Sequence, residues 1–317
     1  MSSLNLHTAQ QLTSVLIPLY NHAPYIAECL DSILLQDAAN IELILIDDGS
    51  SDDGFAVAQL WKDKHGSQFA RIEFERQINA GITRTYERLL QKSTGTIILV
   101  VASDDALLPG SIEQRLEVLN QPGVMAVFGD AIPIDGQGNV TGASAIGELG
   151  RPSSRAALSD PRTLPWEMIF RWNVYGSVLM YRREAVLKAD GSSVLNLDIF
   201  SEDMQLYYLF TSLGSLRYLN KVVAKYRVHG TNTSHTQSNV AKLRTNIYHS
   251  RKHAMIGMPA WRRLVVGMQA FTYHRWGKSL RARLSLPIVA IAYGGILTAR
   301  IAYDFYRTRL LGQLRDI

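Results

Sequence analysis

The sequence predicts an α/β fold, a sheet covered by helices on both faces, and three observations carry that reading. Apolar runs alternate with amphipathic segments through roughly the first 130 residues. The runs are short and almost uninterrupted, as in strands buried on both faces of a parallel sheet. Two acidic clusters follow directly on two of these runs, Asp47-Asp48 and Asp104-Asp105. Strand–helix alternation with right-handed crossovers packs helices on both faces, and ligands of such sheets bind beyond the carboxyl ends of the strands. Both acidic clusters lie there.

Each element has a local reason. Ser14 to Pro18 reads as a buried strand, followed by a helix from about Pro24 to Gln36 with Ile26, Leu30, Ile33 and Leu34 on one face. Ile41 to Ile46 is a second buried strand, and Ser50 with Asp53 has the spacing of a capping pair for a helix through Leu60 and Trp61. A third strand is expected over Arg71–Phe74, a helix over Thr83–Lys92, and a fourth strand over Thr96–Ala102 that runs into Ser103-Asp104-Asp105. Ser111 and Gln114 are spaced to cap a helix ending at Leu119, and Val124–Phe128 reads as a short strand. From Asp130 to Leu164 the pattern gives way to loops with a small hairpin at Ile134–Gly138. A strand near Ser177–Tyr181, a helix over Arg183–Ala189 and a helix over Glu202–Leu213 follow.

Composition limits the function classes. The chain has 317 residues, 47% hydrophobic and 19% charged, which excludes a disordered chain and leaves room for a sizeable core. A single cysteine, Cys29, excludes an intramolecular disulfide framework and a multi-cysteine zinc site. The net charge of +5 is unevenly spread: residues 241–317 carry 14 Lys and Arg against 2 Asp and Glu, and residues 1–240 are net acidic. Two regions are therefore expected, residues 1–240 and a helical, basic extension over 241–317. Within the extension, Leu284–Ala299 is a 16-residue stretch without a charge, bracketed by Arg281, Arg283 and Arg300. As a helix it spans about 24 Å, short of a hydrocarbon core of about 30 Å. It can lie in the membrane interface, pack as a buried helix or cross the bilayer. The arginines beside acidic headgroups favour the first. The apolar stretch argues for the inner-leaflet surface and against nucleic acid as the anionic partner. The polar first dozen residues lack the pattern of a signal peptide, so a cytoplasmic start is expected.

The paired carboxylates are the main chemical signal. A carboxylate pair at the mouth of an apolar sheet suits Mg²⁺ or Mn²⁺, which share one or two carboxylates with substrate phosphates. Helix capping and turn formation compete as explanations, most of all for Asp47-Asp48-Gly49-Ser50. Neither a Walker A pattern nor a Gly-x-Gly-x-x-Gly fingerprint is present, so any nucleotide is held without those phosphate cradles.

Taken in order, Val15–Asn21, Asp47–Asp52, Asn79-Ala80-Gly81, and Gly95 with Ser103-Asp104-Asp105 resemble the family 2 glycosyltransferases of GT-A fold. Phe128-Gly129-Asp130, Ile134–Gly138, Glu202-Asp203 and Tyr226–Ser234 extend the likeness over residues 13–235. The resemblance implies a mixed sheet flanked by helices and a non-processive, inverting transferase. Such an enzyme moves one sugar from a UDP- or dTDP-linked donor, with Mn²⁺ or Mg²⁺, to a polyprenyl-diphosphate-linked oligosaccharide or polysaccharide acceptor. It also implies roles: Pro18 and Tyr20 lining the nucleobase pocket, Asp48 bonded to the base, and Asp104 on the ribose or sugar-diphosphate side. Asp105 is expected to bind the metal with help from His229, and Asp203 to act as general base. Gly81 belongs to the nucleotide-binding loop, and Arg84 stands in for a basic residue, because Thr85-Tyr86-Glu87 replaces the Ala-Arg-Asn common in the family. Residue 103 is Ser where the metal motif often begins with Asp, and the Gln-x-x-Arg-Trp pattern of processive synthases is absent, with Thr272 ahead of Arg275-Trp276. The competing reading is a non-catalytic nucleotide-sugar-binding or scaffold subunit of a polysaccharide assembly complex, and it leaves Asp203 without a task. Expected placement is peripheral, on the cytoplasmic face of the inner membrane.

Overall fold

The computed structural model describes residues 11–149, 153–170, 175–199 and 201–230. The basic extension over 241–317, with its uncharged stretch, lies outside the described residues. Among the described residues no helix is long and apolar enough to cross a membrane.

In chain order the elements are β1 (Thr13–Leu19), α1 (Ile26–Leu34), β2 (Ile41–Asp47), α2 (Gly54–His65), β3 (Arg71–Arg76), α3 (Ile82–Lys92), β4 (Ile97–Val100), β5 (Ala106–Leu107) and α4 (Ser111–Leu119). They continue with β6 (Ala126–Ile134), three short helices α5 (Ala145–Glu148), α6 (Arg155–Ser159) and α7 (Leu164–Phe170), then β7 (Leu179–Arg182), α8 (Glu202–Ser212) and β8 (Leu216–Arg227). One sheet holds all eight strands in the order β3-β2-β1-β4-β7-β6-β8-β5. The first four are mutually parallel; β7 runs antiparallel to both β4 and β6, and β8 parallel to β6.

The apolar runs form the centre of the sheet. Every residue of β2 and β4 is buried, and Val15, Leu16, Ile17 and Leu19 of β1 are fully enclosed. Covered on both faces, these strands have no polar side to alternate with. The edge strand β3 instead carries Arg71, Glu73, Glu75 and Arg76, ion-paired along its length to α3 through Lys92 and Arg88. Charge on an exposed edge discourages pairing with a second chain.

A buried carboxylate fastens the opposite end of this sheet. Glu42 accepts hydrogen bonds from Ser14 Oγ (2.6 Å), the Thr94 amide (2.8 Å) and Thr94 Oγ1 (2.7 Å), and pairs with Arg71. Gly95 closes over it: a Cβ there would lie 2.6 Å from both the Leu12 carbonyl and Ser14 Oγ, so only glycine lets the chain pass. Burial would raise the Glu42 pKa, but the bonds from Ser14, Thr94 and Arg71 outweigh it and hold the carboxyl below its ordinary 4.5.

Four local expectations are corrected. Ser50 and Asp53 do not cap α2; the Ser50 hydroxyl bonds Asp47 and accepts from the Asn21 amide, and Asp52 takes the Gly54 amide (3.0 Å) instead. Ser111 is the first residue of α4, after Gly110 in the left-handed region, and its hydroxyl accepts from the buried Arg115 rather than capping. The helix expected over Arg183–Ala189 is a single 3-10 turn, Arg183–Val186, because Leu187 bridges to Ser193 and draws the chain into an extended turn. The strand expected to end at Phe128 runs on to Ile134, and its long pairing with β8 accounts for the extra length.

A carboxyl with a lowered pKa stabilises the fold above its unfolded pKa and ceases to do so as pH falls through the folded value. Glu42→Ala should therefore lower the unfolding free energy at neutral pH by about 3 kcal/mol, leaving several buried donors unpaired. The gap to the wild-type chain should shrink at about pH 3, as urea titrations at the two pH values would register.

Candidate active site

The chain turns from β1 to β2 on one side and from β3 back to β4 on the other, so the strand order reverses between β1 and β4. A crevice opens at the carboxyl ends of such a pair. The residues gathered there come from the turn after β1 (Tyr20, Asn21, His22), the turn after β2 (Asp47, Asp48), the loop before α3, the end of β4 and the end of β8.

The first acidic cluster divides its labour. Asp47 is fully buried, accepts the Ser50 amide (3.1 Å) and pairs with Arg76 Nε (2.9 Å). Asp52 accepts the Ala23 amide (2.8 Å) and Asn21 Oδ1 accepts the Ser51 amide (2.7 Å), stitching the β1 and β2 turns together. Asp48 faces the loop before α3: Oδ1 accepts from Gln77 Nε2 (2.8 Å) and the Ala80 amide (2.7 Å), and Oδ2 from the Gly81 amide (2.9 Å). A carboxylate offers about four lone-pair sites, so one on Oδ2 remains for a ligand N–H. Gly81 adopts φ 86° to turn its amide onto Asp48 and enter α3, a conformation that suits glycine.

The second cluster gives its two carboxylates different partners. Asp105, expected to bind metal, is turned inward and 3% exposed. Its Oδ2 accepts from Ser177 Oγ (2.5 Å) and its Oδ1 from the Arg227 amide (2.9 Å). Burial, then the neighbouring charge of Asp104, pushes its pKa well above the ordinary carboxylate range. Asp104, expected beside the nucleotide, is the residue next to His229, with Oδ2 at 3.0 Å from His229 Nε2 and 3.7 Å from His22 Nε2. The division has a local cause. Ser103 and Asp104 form a turn closed by the Asp105 amide on the Ala102 carbonyl (3.0 Å), and past that turn Asp105 meets Ser177 and β8.

His22, Asp104 and His229 offer ligand atoms that all lie within 4.8 Å of one another. Two imidazole nitrogens and a carboxylate oxygen form a donor set suited to a divalent first-row ion. Tyr25 walls the group, its ring 4.9 Å from that of His229, with the Arg227 guanidinium 4.8 Å over the Tyr25 ring. Arg227 is itself buried and holds the surrounding backbone, donating to the Asp104 carbonyl (2.8 Å) and pairing with Glu28.

Asp203 opens α8 and borders the same region: a Cβ added at Gly176, next to Ser177, would lie 3.8 Å from its Cβ. One oxygen, Oδ1, accepts from Ser201 Oγ and from the Met204 amide, both at 2.6 Å. Burial raises its pKa above the ordinary 3.8, and burial together with the Asp203 charge pushes Glu202 up to about 8. The two carboxyls titrate as a pair, each raised chiefly by burial.

The remaining expected site residues lie on β1, the turn after it and α3. Pro18 is half-buried on β1, and Tyr20 is 47% exposed just beyond it. Arg84 forms a solvent-facing ion pair with Asp198 (2.8 Å). His22, Ser177 and Arg227 are the residues that sequence reasoning missed. The place of His22 three residues beyond β1, at the switch point, is the signal that could have found it; Arg227 sits in the Tyr226–Ser234 segment, and Ser177 leaves no signal without the fold. Tyr207 and Tyr208 of α8 are fully buried and belong to the core.

A family model for glycosyl transferase family 2 matches residues 14–188, more than half the chain. The chain belongs to glycosyl transferase family 2. This family 2 glycosyltransferase is 26% identical over 235 residues to the chondroitin synthase of Escherichia coli, covering 73% of this chain and 31% of that protein. The chain spans about a third to a half of the length of the first curated relatives it matches. Its fold is similar to that of S. aureus TarS solved with UDP-GlcNAc, at a TM-score of 0.59 and 16% identity over 90% of this chain and 81% of the other. It is also similar to that of the mannosyltransferase PcManGT from Pyrobaculum calidifontis, solved with GDP-Man and Mn²⁺, at 0.57 and 18% over 95% and 84%. The fold of this enzyme is thus GT-A, a mixed sheet with helices on its faces.

If Asp105 is a clasp and Asp104 a site group, the two should separate in stability. Asp105→Ala strands the Ser177 hydroxyl and the Arg227 amide and should cost about 2–3 kcal/mol in urea unfolding. Asp104→Ala should stay within about 1 kcal/mol of the parent.

Proposed function

We propose that the chain moves one sugar, by a single displacement with inversion and without processivity, from a nucleotide-diphosphate sugar to a lipid-linked oligosaccharide or polysaccharide acceptor. UDP- or dTDP-linked donors fit best. The observation that carries this reading is a loop-binding carboxylate and a metal-suited cluster at the β1/β4 switch point, with one separate carboxylate bordering the same region. These are Asp48, the His22–Asp104–His229 group and Asp203. Family membership and solved neighbours that hold UDP-GlcNAc or GDP-Man support the donor class.

In this reading the open lone pair of Asp48 Oδ2 accepts the imide N–H of a uracil or thymine ring. Tyr20 and Pro18 supply the pocket beside it, Gly81 sets its floor, and Arg84, released from Asp198, meets the ribose or diphosphate. Asp104 and His229 would hold Mn²⁺ or Mg²⁺, and the bound ion would offset the charge that builds on the diphosphate leaving group. Asp105 serves indirectly, by fixing the backbone that carries Asp104. Asp203 takes the proton of the acceptor hydroxyl as the bond to the anomeric carbon forms. Because Oδ1 is tied by two donors, Oδ2 is the oxygen left to act. One base, on the side away from the leaving group, gives inversion. Residues 1–240 would form the catalytic unit and 241–317 would hold it at the inner-leaflet surface, close to acceptors on polyprenyl diphosphate.

Thermal-shift titration with UDP, dTDP, GDP and CMP, with and without Mn²⁺, should single out a pyrimidine diphosphate that stabilises in the presence of metal. Asp203→Asn should keep that shift and lower turnover of the matching nucleotide sugar by about 100- to 10,000-fold. Wild-type activity should fall on acidification with a midpoint above pH 3.8, since the base is lost as pH drops through its raised pKa. Full turnover in Asp203→Asn would remove the proposed base.

A further inference from the structure

The geometry points to His22 as a third protein ligand of the divalent ion, giving a site of two imidazoles and one carboxylate that selects Mn²⁺ over Mg²⁺. This deepens the proposed function and rests on it only for the presence of a metal-bound diphosphate.

Four observations carry it. First, the three side chains come from three separate segments, the turn after β1, the end of β4 and the residues after β8, and meet at the switch point. Second, the spacing suits a shared ion. Ligand atoms about 2.1 Å from one ion stand about 3.0 Å apart when adjacent and about 4.2 Å when opposite. His229 Nε2 and His22 Nε2 lie 3.0 and 3.7 Å from Asp104 Oδ2, and all three ligand atoms fall within 4.8 Å. The 3.7 Å separation is too long for a hydrogen bond, so His22 is aimed at Asp104 without being bonded to it.

Third, the far side of the His22 ring is already held. Its Nδ1 lies 2.8 Å from Ser103 Oγ; in the tautomer that a metal ligand needs, that hydroxyl accepts the Nδ1 proton and Nε2 is the nitrogen facing Asp104. A fixed hydrogen bond on the remote nitrogen is the arrangement found behind metal-ligating histidines. Fourth, the rings are packed in place. His22 and His229 meet edge to face at 5.5 Å, and Tyr25 contacts both. Rings that are already oriented pay little ordering entropy on binding.

The donor set then decides the ion. Mg²⁺ prefers oxygen ligands and keeps several waters, whereas first-row transition ions accept imidazole readily. With two nitrogens among three protein donors, Mn²⁺ should be favoured. Without His22 the site would be one carboxylate and one imidazole, a set with much less bias.

The test measures Mn²⁺ binding to the full chain by EPR, without donor, with Mg²⁺ as competitor. Pulsed EPR then counts the imidazole nitrogens coupled to bound Mn²⁺. The wild-type chain should bind Mn²⁺ at least about tenfold more tightly than Mg²⁺ and show two coupled imidazoles. His22→Ala and His22→Gln should each weaken Mn²⁺ by about tenfold or more and leave one coupled imidazole, and Ser103→Ala should weaken it by about tenfold. A single coupled imidazole in the wild-type chain overturns the proposal and does not depend on any variant folding. So does wild-type Mn²⁺ affinity in a folded His22→Ala. Either result alongside a metal-dependent UDP or dTDP shift would leave the transferase reading standing. Two coupled imidazoles in a chain that binds no nucleotide would support the site and reject the transferase reading.

Discussion

The site depends on the buried carboxylate of Asp105. A carboxylate removed from water must be met by donors, and the two it finds belong to segments far along the chain, Ser177 and the amide of Arg227. That need fastens the end of β4 to the turn before β7 and to the last strand of the sheet. Its consequences reach the functional groups directly. With Asp105 turned inward, Asp104 points into the crevice, and with Arg227 anchored, His229 two residues on is brought against Asp104. The Arg227 side chain completes the arrangement by bonding the Asp104 carbonyl and lying over Tyr25, whose ring walls the histidines.

A second buried carboxylate, Glu42, does comparable work at the other end of the same strands, where Gly95 must pass close above it. Between the two lies a core of fully enclosed aliphatic residues on β1, β2 and β4. The polar groups that fix register sit at the strand ends and the apolar groups that supply the driving force sit between them. The open end is the one where ligands bind.

How much of this was legible in the sequence follows from what each element depends on. β1, β2 and β4 were readable because a strand covered on both faces is apolar throughout, and α3 because its buried face recurs with helical spacing. β8 escaped a reading by pattern. Its twelve residues include Lys221, Lys225 and Arg227 and alternate only loosely, because part of the strand is half-exposed. The helix expected over Arg183–Ala189 failed because a local antiparallel bridge from Leu187 to Ser193 competes with helix for the same residues. In the site, the order of the acidic pairs was visible, but which member of 104 and 105 faces the crevice was not. That choice is made by partners 72 and 122 residues away. A lone histidine after β1 has no meaning until β4 is laid beside it.

What emerges is a family 2 glycosyltransferase whose second acidic pair is divided, Asp105 held by Ser177 and Arg227 and Asp104 set beside His229. The most direct test is the position of Mn²⁺ in crystals grown with UDP, located by anomalous scattering at the manganese edge. One peak bonded to Asp104 Oδ2 and His229 Nε2 is expected, with Asp105 still held by Ser177 and Arg227. A peak bonded to Asp105, with its clasp broken, would contradict this division.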